Sequence, residues 1–313
     1  MQNTKIEWSH NTFNPWWGCT KVSPACDNCY AERRARRHTR TKADLWGKDA
    51  ERYQSSDEYW KQPHKWNARA ERTGIREQVF CGSMCDVMER RPDLDDPRKR
   101  LFKLIEDTPH LDWLLLTKRP QEYDKLLPCD WLANPRPNVW LLTTCEHQDY
   151  ICRIHTLLKV PAVVHGVSIE PMLSPITLPK EFLKLGSSAW VIVGGESGNL
   201  KSLRPTPVEW FRDIRTQCNQ AHIAFFFKQW GEHVNLVKIG KAKAGRLLDE
   251  REWNEYPVPS EDYIEKREEL LYLSQRESAG DNAESGGLEA IAPPSGAPHE
   301  NGVDESSLME VSR

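Results

Sequence analysis

Apolar residues along this chain are concentrated in short runs, and the segments between the runs are richer in polar and charged residues. Two of those segments, 95–106 and 206–218, place their apolar residues at helical spacing. Continuous apolar strands that alternate with helices are typical of a parallel sheet covered on both faces. The predicted strands are a first one near 14–18 and then 78–81, 113–116, 139–142, 162–167, 190–193 and 224–227.

This rhythm predicts an α/β fold with about six to seven parallel strands and helices outside them. Such a count suits a complete or partial (β/α) barrel, and a doubly wound open sheet is the alternative. We predict the partial barrel.

Polar side chains follow almost every apolar run. Asp86, Lys118, Glu170, Glu196 and Lys228 each come directly after a predicted strand, next to small residues in several cases. In parallel α/β folds the carboxyl ends of the strands form the active-site face, so these groups should converge on one polar site. The alternative is that each charge marks only the point where a strand meets solvent.

Composition narrows the class of protein. The chain has 313 residues and nine cysteines, its first residues contain no apolar leader, and no stretch is apolar enough to span a membrane. Cysteines in a chain without a secretory signal fit a reducing compartment, where metal binding is more common than a disulfide framework. We therefore expect a cytoplasmic protein that does not bind a membrane.

The C-terminal segment differs from the rest. Residues 277–313 carry eight acidic residues against one arginine, which is −7 of a total charge of −3, so residues 1–276 carry +4. Glycine, serine and proline dominate this segment and little of it is apolar. We predict a folded domain over 1–256, a charged helix or linker over 257–276, and a disordered acidic tail over 277–313.

Three closely spaced cysteines near the N-terminus are the strongest chemical signal. Cys19, Cys26 and Cys29 have a C-x6-C-x2-C spacing. A structural zinc site has four protein ligands, whereas a catalytic metal centre keeps one position open. Three thiols therefore indicate an iron–sulfur cluster with a free position or zinc with a remote fourth ligand, and thiols without a metal are the third alternative. The candidate fourth ligands are His10, His38, Cys81 and Cys85.

Two further motifs have alternative interpretations. The glycine-rich segment 194–198 after an apolar strand could bring backbone amides close to a ligand, or it could be a plain tight turn. The basic segment 33–42 could bind phosphates of a nucleotide or nucleic acid, or it could be the solvated face of a helix.

Taken together, six ordered motifs resemble the three-Cys-motif family of bacteriophage and prophage proteins, which is affiliated with radical S-adenosylmethionine (radical SAM) enzymes. The resemblance covers about residues 5–256. Its motifs are WGCTKVSPACDNCYAE (17–32), GSM with Asp86 (82–86), LTKRP (116–120), SIEP (168–171), VGGESG (193–198) and FFKQWG (226–231).

The resemblance implies a partial barrel of radical SAM type. Cys19, Cys26 and Cys29 would hold a [4Fe–4S] cluster, and S-adenosylmethionine would occupy the free iron position. The residues that the resemblance assigns to S-adenosylmethionine are Ser83, Asp86, Glu170, Gly194, Gly195 and Glu196, and those assigned to the substrate are Lys118, Arg119 and Lys228.

The resemblance therefore implies a radical SAM-type enzyme of phage or mobile-element origin, whose catalytic residues the sequence does not indicate. Its expected partners are a nucleic-acid or nucleotide substrate, an electron donor and a partner protein encoded nearby. A zinc-stabilised nucleic-acid-binding protein without redox chemistry is the alternative.

Overall fold

A computed structural model of the chain describes residues 4–37, 44–198 and 202–280. Its strands are β1 (Asn11–Phe13), β2 (Trp16–Trp17), β3 (Tyr53–Gln54), β4 (Glu77–Cys81), β5 (Leu111–Thr117), β6 (Val139–Thr144), β7 (Val164–Ile169), β8 (Ala189–Gly194), β9 (Ala224–Gln229), β10 (His233–Val234) and β11 (Val237–Lys238). Its α-helices are α1 (Tyr30–Arg37), α2 (Asp57–Trp60), α3 (Gln62–Thr73), α4 (Asp95–Glu106), α5 (Tyr123–Leu126), α6 (Cys129–Ala133), α7 (Cys152–Leu157), α8 (Lys180–Leu183), α9 (Val208–Gln220), α10 (Lys241–Ala244) and α11 (Glu261–Gly280).

One seven-stranded parallel sheet organises the described part of the chain. Its strand order is β1-β4-β5-β6-β7-β8-β9, so each strand pairs with the next one along the chain apart from the short β2 and β3. Helices on the outside of this half-barrel include α4 and α9, which have buried apolar faces. The predicted partial (β/α) barrel is confirmed.

The first strand is the one element that the apolar pattern misplaced. It was expected near 14–18, but the sheet strand is Asn11–Phe13, which pairs with Val79–Cys81. Trp16–Trp17 instead pairs antiparallel with Tyr53–Gln54 in a separate two-stranded sheet. Pro15 stands between the two strands, and proline has no backbone N–H to continue a ladder.

The helices lie close to their predicted positions. α4 has the expected bounds, Asp95–Glu106, whereas α9 begins at Val208 rather than at residue 206. Pro207 is in an extended conformation at the helix start, and a residue that precedes proline is disfavoured from the helical region.

By its internal contacts the chain divides into Met1–Tyr272 and Leu273–Arg313. The charged helix predicted before residue 277 is α11, which continues to Gly280. The rest of the predicted acidic tail, 281–313, lies outside the described residues. No helix in the described ranges combines the length and apolar character that a membrane span requires.

Candidate functional site

The inward face of the sheet changes character from one end of the strands to the other. Side chains alternate along each strand, and the inward positions of β5 to β9 are the even-numbered residues. Near the amino ends these positions carry large apolar side chains, such as Trp140 and Trp190. At the carboxyl ends the same alternation reaches Lys118, Thr144 and Lys228. The inward face is therefore apolar at one end and polar at the other.

The polar end forms a cavity of about 410 Å³, a volume in the range of small-molecule sites. The carboxyl ends of β4 to β9 and the residues that follow them line it, together with the cysteine segment and the N-terminal residues. The predicted site residues that line this cavity are Cys19, Cys26, Cys29, Ser83, Asp86, Lys118, Arg119, Glu170, Gly195, Glu196 and Lys228. The expected convergence at the carboxyl ends of the strands is thus present.

Gly194 is the predicted site residue that is not part of the cavity lining. It ends β8 beneath the Glu170 carboxylate, where a Cβ atom would stand 3.3 Å from Oε1. Its missing side chain leaves room for Glu170 rather than for a ligand.

The cysteine segment crosses the mouth of the cavity between β2 and α1. Short parallel bridges join Gly18 to Cys85 and Cys19 to Trp46, so the loops that follow β4 and α1 hold the first cysteine from both sides. Cys26 ends a short 3-10 helix, and Cys29 directly precedes α1. All three thiols therefore belong to segments that the barrel holds in place.

Burial raises the pKa of two of these thiols, Cys19 and Cys29. Burial raises the pKa of Cys19 to about 12, and the neighbouring Asp86 carboxylate adds to the rise, whereas Arg119 opposes it. Burial also raises the pKa of Cys29, against the influence of nearby backbone amides and of Lys118. Because metals bind the thiolate, loading of this site would release protons.

Soft sulfur donors are the right ligands for zinc or an iron–sulfur group, and the three thiols share one cavity. Within the described ranges, however, no three Cys, His, Asp or Glu side chains are grouped closely enough to hold a metal ion. The three thiols therefore suit such a metal group in their donor atoms and in their shared location. They are not yet arranged at the distances that metal ligation requires.

The candidates for a fourth metal ligand differ in whether they line the cavity that contains the three cysteines. Cys85 lines the same cavity as the three cysteines, and its pKa is raised by burial and by the neighbouring Cys81 and Cys19. Cys81 is buried in β4 and does not line the cavity. His10 is exposed and its Nδ1 accepts a hydrogen bond from the Gln78 amide at 3.1 Å, and His38 lies outside the described residues.

Asp86 is a buried carboxylate whose oxygens are fully engaged. Oδ1 accepts from Thr117 Oγ1 at 2.7 Å and from the Met88 amide at 3.0 Å. Oδ2 accepts from Arg119 Nη1 at 2.7 Å and from the Lys118 amide at 3.2 Å. The side chain therefore ties the end of β4 to the end of β5, and its assignment to S-adenosylmethionine stays a prediction.

Arg119 joins that carboxylate to the cysteine segment. Its Nη2 donates to the Thr20 carbonyl at 2.6 Å, and its Nη1 approaches Cys19 Sγ at 3.8 Å as well as Asp86. The guanidinium was expected to bind substrate, but its donors are committed to the protein. Its geometry is that of a residue that positions Cys19.

Arg52 is a functional neighbour that the sequence did not indicate. Its fully buried guanidinium makes two hydrogen bonds to the Glu89 carboxylate, at 2.8 and 2.9 Å. It also donates to Thr20 Oγ1 at 3.0 Å and to the Leu45 carbonyl at 3.1 Å. A second buried ion pair thus supports the cysteine segment, and nothing in the local pattern around Arg52 marks it.

The glycine-rich segment after β8 is held by protein contacts. The Glu196 carboxylate accepts from the amide and the guanidinium of Arg204, at 2.7 Å for the amide. Burial acts to raise the pKa of Glu196, but the hydrogen bonds from Arg204 outweigh it and lower the pKa. A Cβ atom on Gly195 would collide with the Trp230 carbonyl, so this glycine allows two backbones to cross.

Ser83 and Glu170 both line the cavity and both are bonded to other side chains. The Ser83 hydroxyl bonds the Asn14 side chain at 3.0 Å. Glu170 accepts from Lys228 Nζ at 2.6 Å and from the Gln229 amide nitrogen at 3.2 Å. Asn14 directly follows β1 and Gln229 is the last residue of β9, so the strand-end signal could have found both.

The basic segment begins as the helix α1, and 38–43 lie outside the described residues. Arg36 pairs with Glu32 and Asp44, and Arg33 donates to the Ser197 carbonyl at 3.1 Å. Arg34 and Arg37 are exposed to solvent. The segment therefore contains both structural and solvent-facing arginines.

Fold and site together define a partial (β/α)-barrel protein with a cavity at the carboxyl ends of its strands that is lined by thiols and charged side chains as well as apolar ones. Residues 3–257 match the family described as Protein of unknown function (DUF5131), and the chain belongs to that family. No curated protein and no solved structure matches the chain.

Proposed function

We propose that this protein is a radical SAM-type iron–sulfur enzyme, with Cys19, Cys26 and Cys29 as the ligands of a [4Fe–4S] cluster. The observation that carries the proposal is that these three thiols line one cavity with the polar strand ends of a partial barrel. Such a cluster, when bound with S-adenosylmethionine, supplies a 5′-deoxyadenosyl radical that abstracts hydrogen from a substrate.

The protein would supply the position and the environment of that chemistry. Arg119 and Arg52 hold the Cys19–Thr20 backbone against the ends of β4 and β5. The Glu170–Lys228 pair and Ser83 offer polar groups on the cavity wall. The apolar residues below the cavity limit access of water from the other end of the barrel.

Anaerobic reconstitution with iron and sulfide tests the cluster. We expect a broad visible absorption and an iron content that both disappear in Cys26→Ser, with Cys152→Ser as the matched control because Cys152 is exposed and distant in sequence. A Cys26→Ser protein that still binds the same amount of iron would contradict the proposal.

Turnover is tested separately from the cluster. The reconstituted, reduced protein should convert S-adenosylmethionine to methionine and 5′-deoxyadenosine, measured by liquid chromatography. A stable cluster without any 5′-deoxyadenosine would remove the enzyme proposal and leave the metal site standing.

A zinc site is the second candidate, and the position of Cys85 favours it. Four cavity-lining thiols could complete a closed structural zinc site. This alternative expects stoichiometric zinc in protein purified in air, and loss of both zinc and folded protein in Cys85→Ser. In the cluster proposal Cys85→Ser keeps its iron, so this one variant distinguishes the two candidates.

The proposed substrate is a nucleotide or nucleic acid. The exposed Arg34 and Arg37 lie on the helix that follows Cys29, beside the cavity mouth. Polyanion binding through these residues would weaken steeply as salt concentration rises.

This binding is measured by filter binding of single-stranded RNA and DNA at increasing salt concentration, with the double variant Arg34→Gln/Arg37→Gln for comparison. The proposed electron donor and partner protein would be sought by co-purification.

A further inference from the structure

Most positive charges of the cavity are neutralised by a neighbouring carboxylate. The pairs are Lys21–Glu32 at 2.9 Å, Arg119–Asp86 at 2.7 Å, Lys228–Glu170 at 2.6 Å and Lys241–Glu7 at 3.6 Å. Among the described residues that line the cavity, Lys118 and Lys5 are the two cations without such a partner. Lys5 is exposed at the mouth, where water can solvate it.

Lys118 is different because it is partly buried on the cavity wall. Its Nζ donates one hydrogen bond, to Thr144 Oγ1 at 3.3 Å. An ammonium group has three protons to donate, and a half-buried charge without a counter-ion is costly. The group is therefore equipped to bind an anion that enters the cavity.

Strand register places two hydroxyl groups in the same row as Lys118. Thr117 pairs with Thr143, so Lys118 stands next to Thr144, and Thr144 in turn pairs with Ser168. All three side chains line the cavity. Within the described part of the chain, the Ser168 hydroxyl makes no hydrogen bond. A cation flanked by two hydroxyl groups offers donors from three neighbouring strands.

We propose that Lys118, Thr144 and Ser168 form a subsite for a phosphate group of the substrate. Phosphate has more acceptor oxygens and more charge than a carboxylate, so it matches a cation that is flanked by two hydroxyl donors. The subsite specifies which group of a nucleotide or nucleic-acid substrate the cavity would bind. It rests on the proposed function in one respect, which is that the cavity is the place of the reaction.

Phosphate binding is measured on the full chain as purified, before any reconstitution, by titration with inorganic phosphate and pyrophosphate followed by ³¹P NMR. Saturable binding is expected. A charge-assisted hydrogen bond contributes enough that Lys118→Met should weaken binding about ten- to a hundredfold. Thr144→Val and Ser168→Ala should each weaken it about two- to tenfold.

Lys5→Met is the matched control, since it removes an unpaired lysine of the same cavity and should weaken binding less than about threefold. Thermal unfolding of each variant checks that it folds, and the two hydroxyl variants test the subsite independently of Lys118→Met.

Three results would overturn the proposal: no saturable phosphate binding, equal binding by Lys118→Met and the native chain, or displacement of phosphate by an equal concentration of acetate. The last result would assign the subsite to carboxylates. Because the assay needs neither cluster nor turnover, its failure leaves the radical SAM proposal untouched, and failure of the cluster experiments leaves the subsite untouched.

Discussion

The two ends of the half-barrel use the same strands for opposite purposes. At the amino end, the inward side chains form an aromatic cluster in which the Trp190 ring meets Trp8 and Trp140 edge to face, with ring centroids 5.9 Å apart in both pairs. At the carboxyl end, the inward positions are small or polar and surround a cavity. One end is packed, and the other is left open.

The difference shows that one set of strands can carry a packed core at one end and a binding cavity at the other. Two residues further along a strand, the side chain returns to the same face but enters a different layer. Trp140 and Leu142 of β6 are packed in the apolar cluster, whereas Thr144 lines the cavity. The loops of the open layer are held by buried ion pairs such as Arg119–Asp86 and by a small apolar cluster that includes Trp46 and Met84.

The largest effect is expected at the packed end. Trp190→Ala removes a fully buried ring and should lower the free energy of unfolding by about 3–5 kcal/mol. Lys118→Met, at the open end, should change it by less than about 0.5 kcal/mol. Urea unfolding measures both, and a similar loss in the two variants would break the comparison between the ends.

A smaller loss of stability is expected when a buried ion pair at the open end is broken. Arg119→Met leaves the buried Asp86 carboxylate without its cation and frees the Thr20 carbonyl, so we expect a loss of about 2–3 kcal/mol. The exposed pair Lys99–Asp96 is the control, since Lys99→Met should cost less than about 0.5 kcal/mol. Equal costs in urea unfolding would show that burial of Arg119 is unimportant.

The Glu196–Arg204 pair gives the open end a dependence on pH. Arg204 lowers the pKa of Glu196 from its usual 4.5, so the pair stabilises the fold above about pH 4.5 and this contribution disappears as the pH falls below that value. Arg204→Met should therefore cost about 1–2 kcal/mol at pH 7 and less near pH 4. A cost that is the same at both pH values would contradict this assignment.

Thiol reactivity should distinguish the cavity from the surface without disturbing the fold. A pKa of about 12 instead of the usual 9.0 reduces the thiolate fraction of Cys19 by about a thousandfold at pH 8. In the metal-free protein, iodoacetamide should therefore modify the exposed Cys129 and Cys152 well before Cys19. Peptide mass spectrometry measures the order, and early modification of Cys19 would show that its segment opens readily.

The apolar pattern predicted six of the seven sheet strands to within a few residues, because each is a continuous buried run. It missed β1, whose three residues include the polar Asn11 and Thr12. Asn11 can be buried in a strand since its side chain donates a hydrogen bond at 2.7 Å to Glu77, a residue far away in the sequence. A local pattern cannot report such a partner.

The sequence predicted which residues lie at the candidate site, but it did not predict which of them bind one another. Eleven of the predicted site residues line the cavity, but the resemblance assigned Arg119 to substrate, whereas its donors bind Asp86 and Thr20. It also gave no indication of Arg52 or Arg204, which lie in loops without apolar periodicity.

The sequence by itself determined where most of the sheet strands lie along the chain and the end of the strands at which polar groups gather, because these follow from short local patterns. The tertiary structure alone decided which charges are neutralised. Lys118 and Arg119 are adjacent in the chain, yet the Arg119 guanidinium meets a buried carboxylate 33 residues away, whereas the Lys118 ammonium, within the described residues, donates to the Thr144 hydroxyl. Pairing depends on distances between loops that are far apart in sequence, and those distances exist only once the barrel has formed.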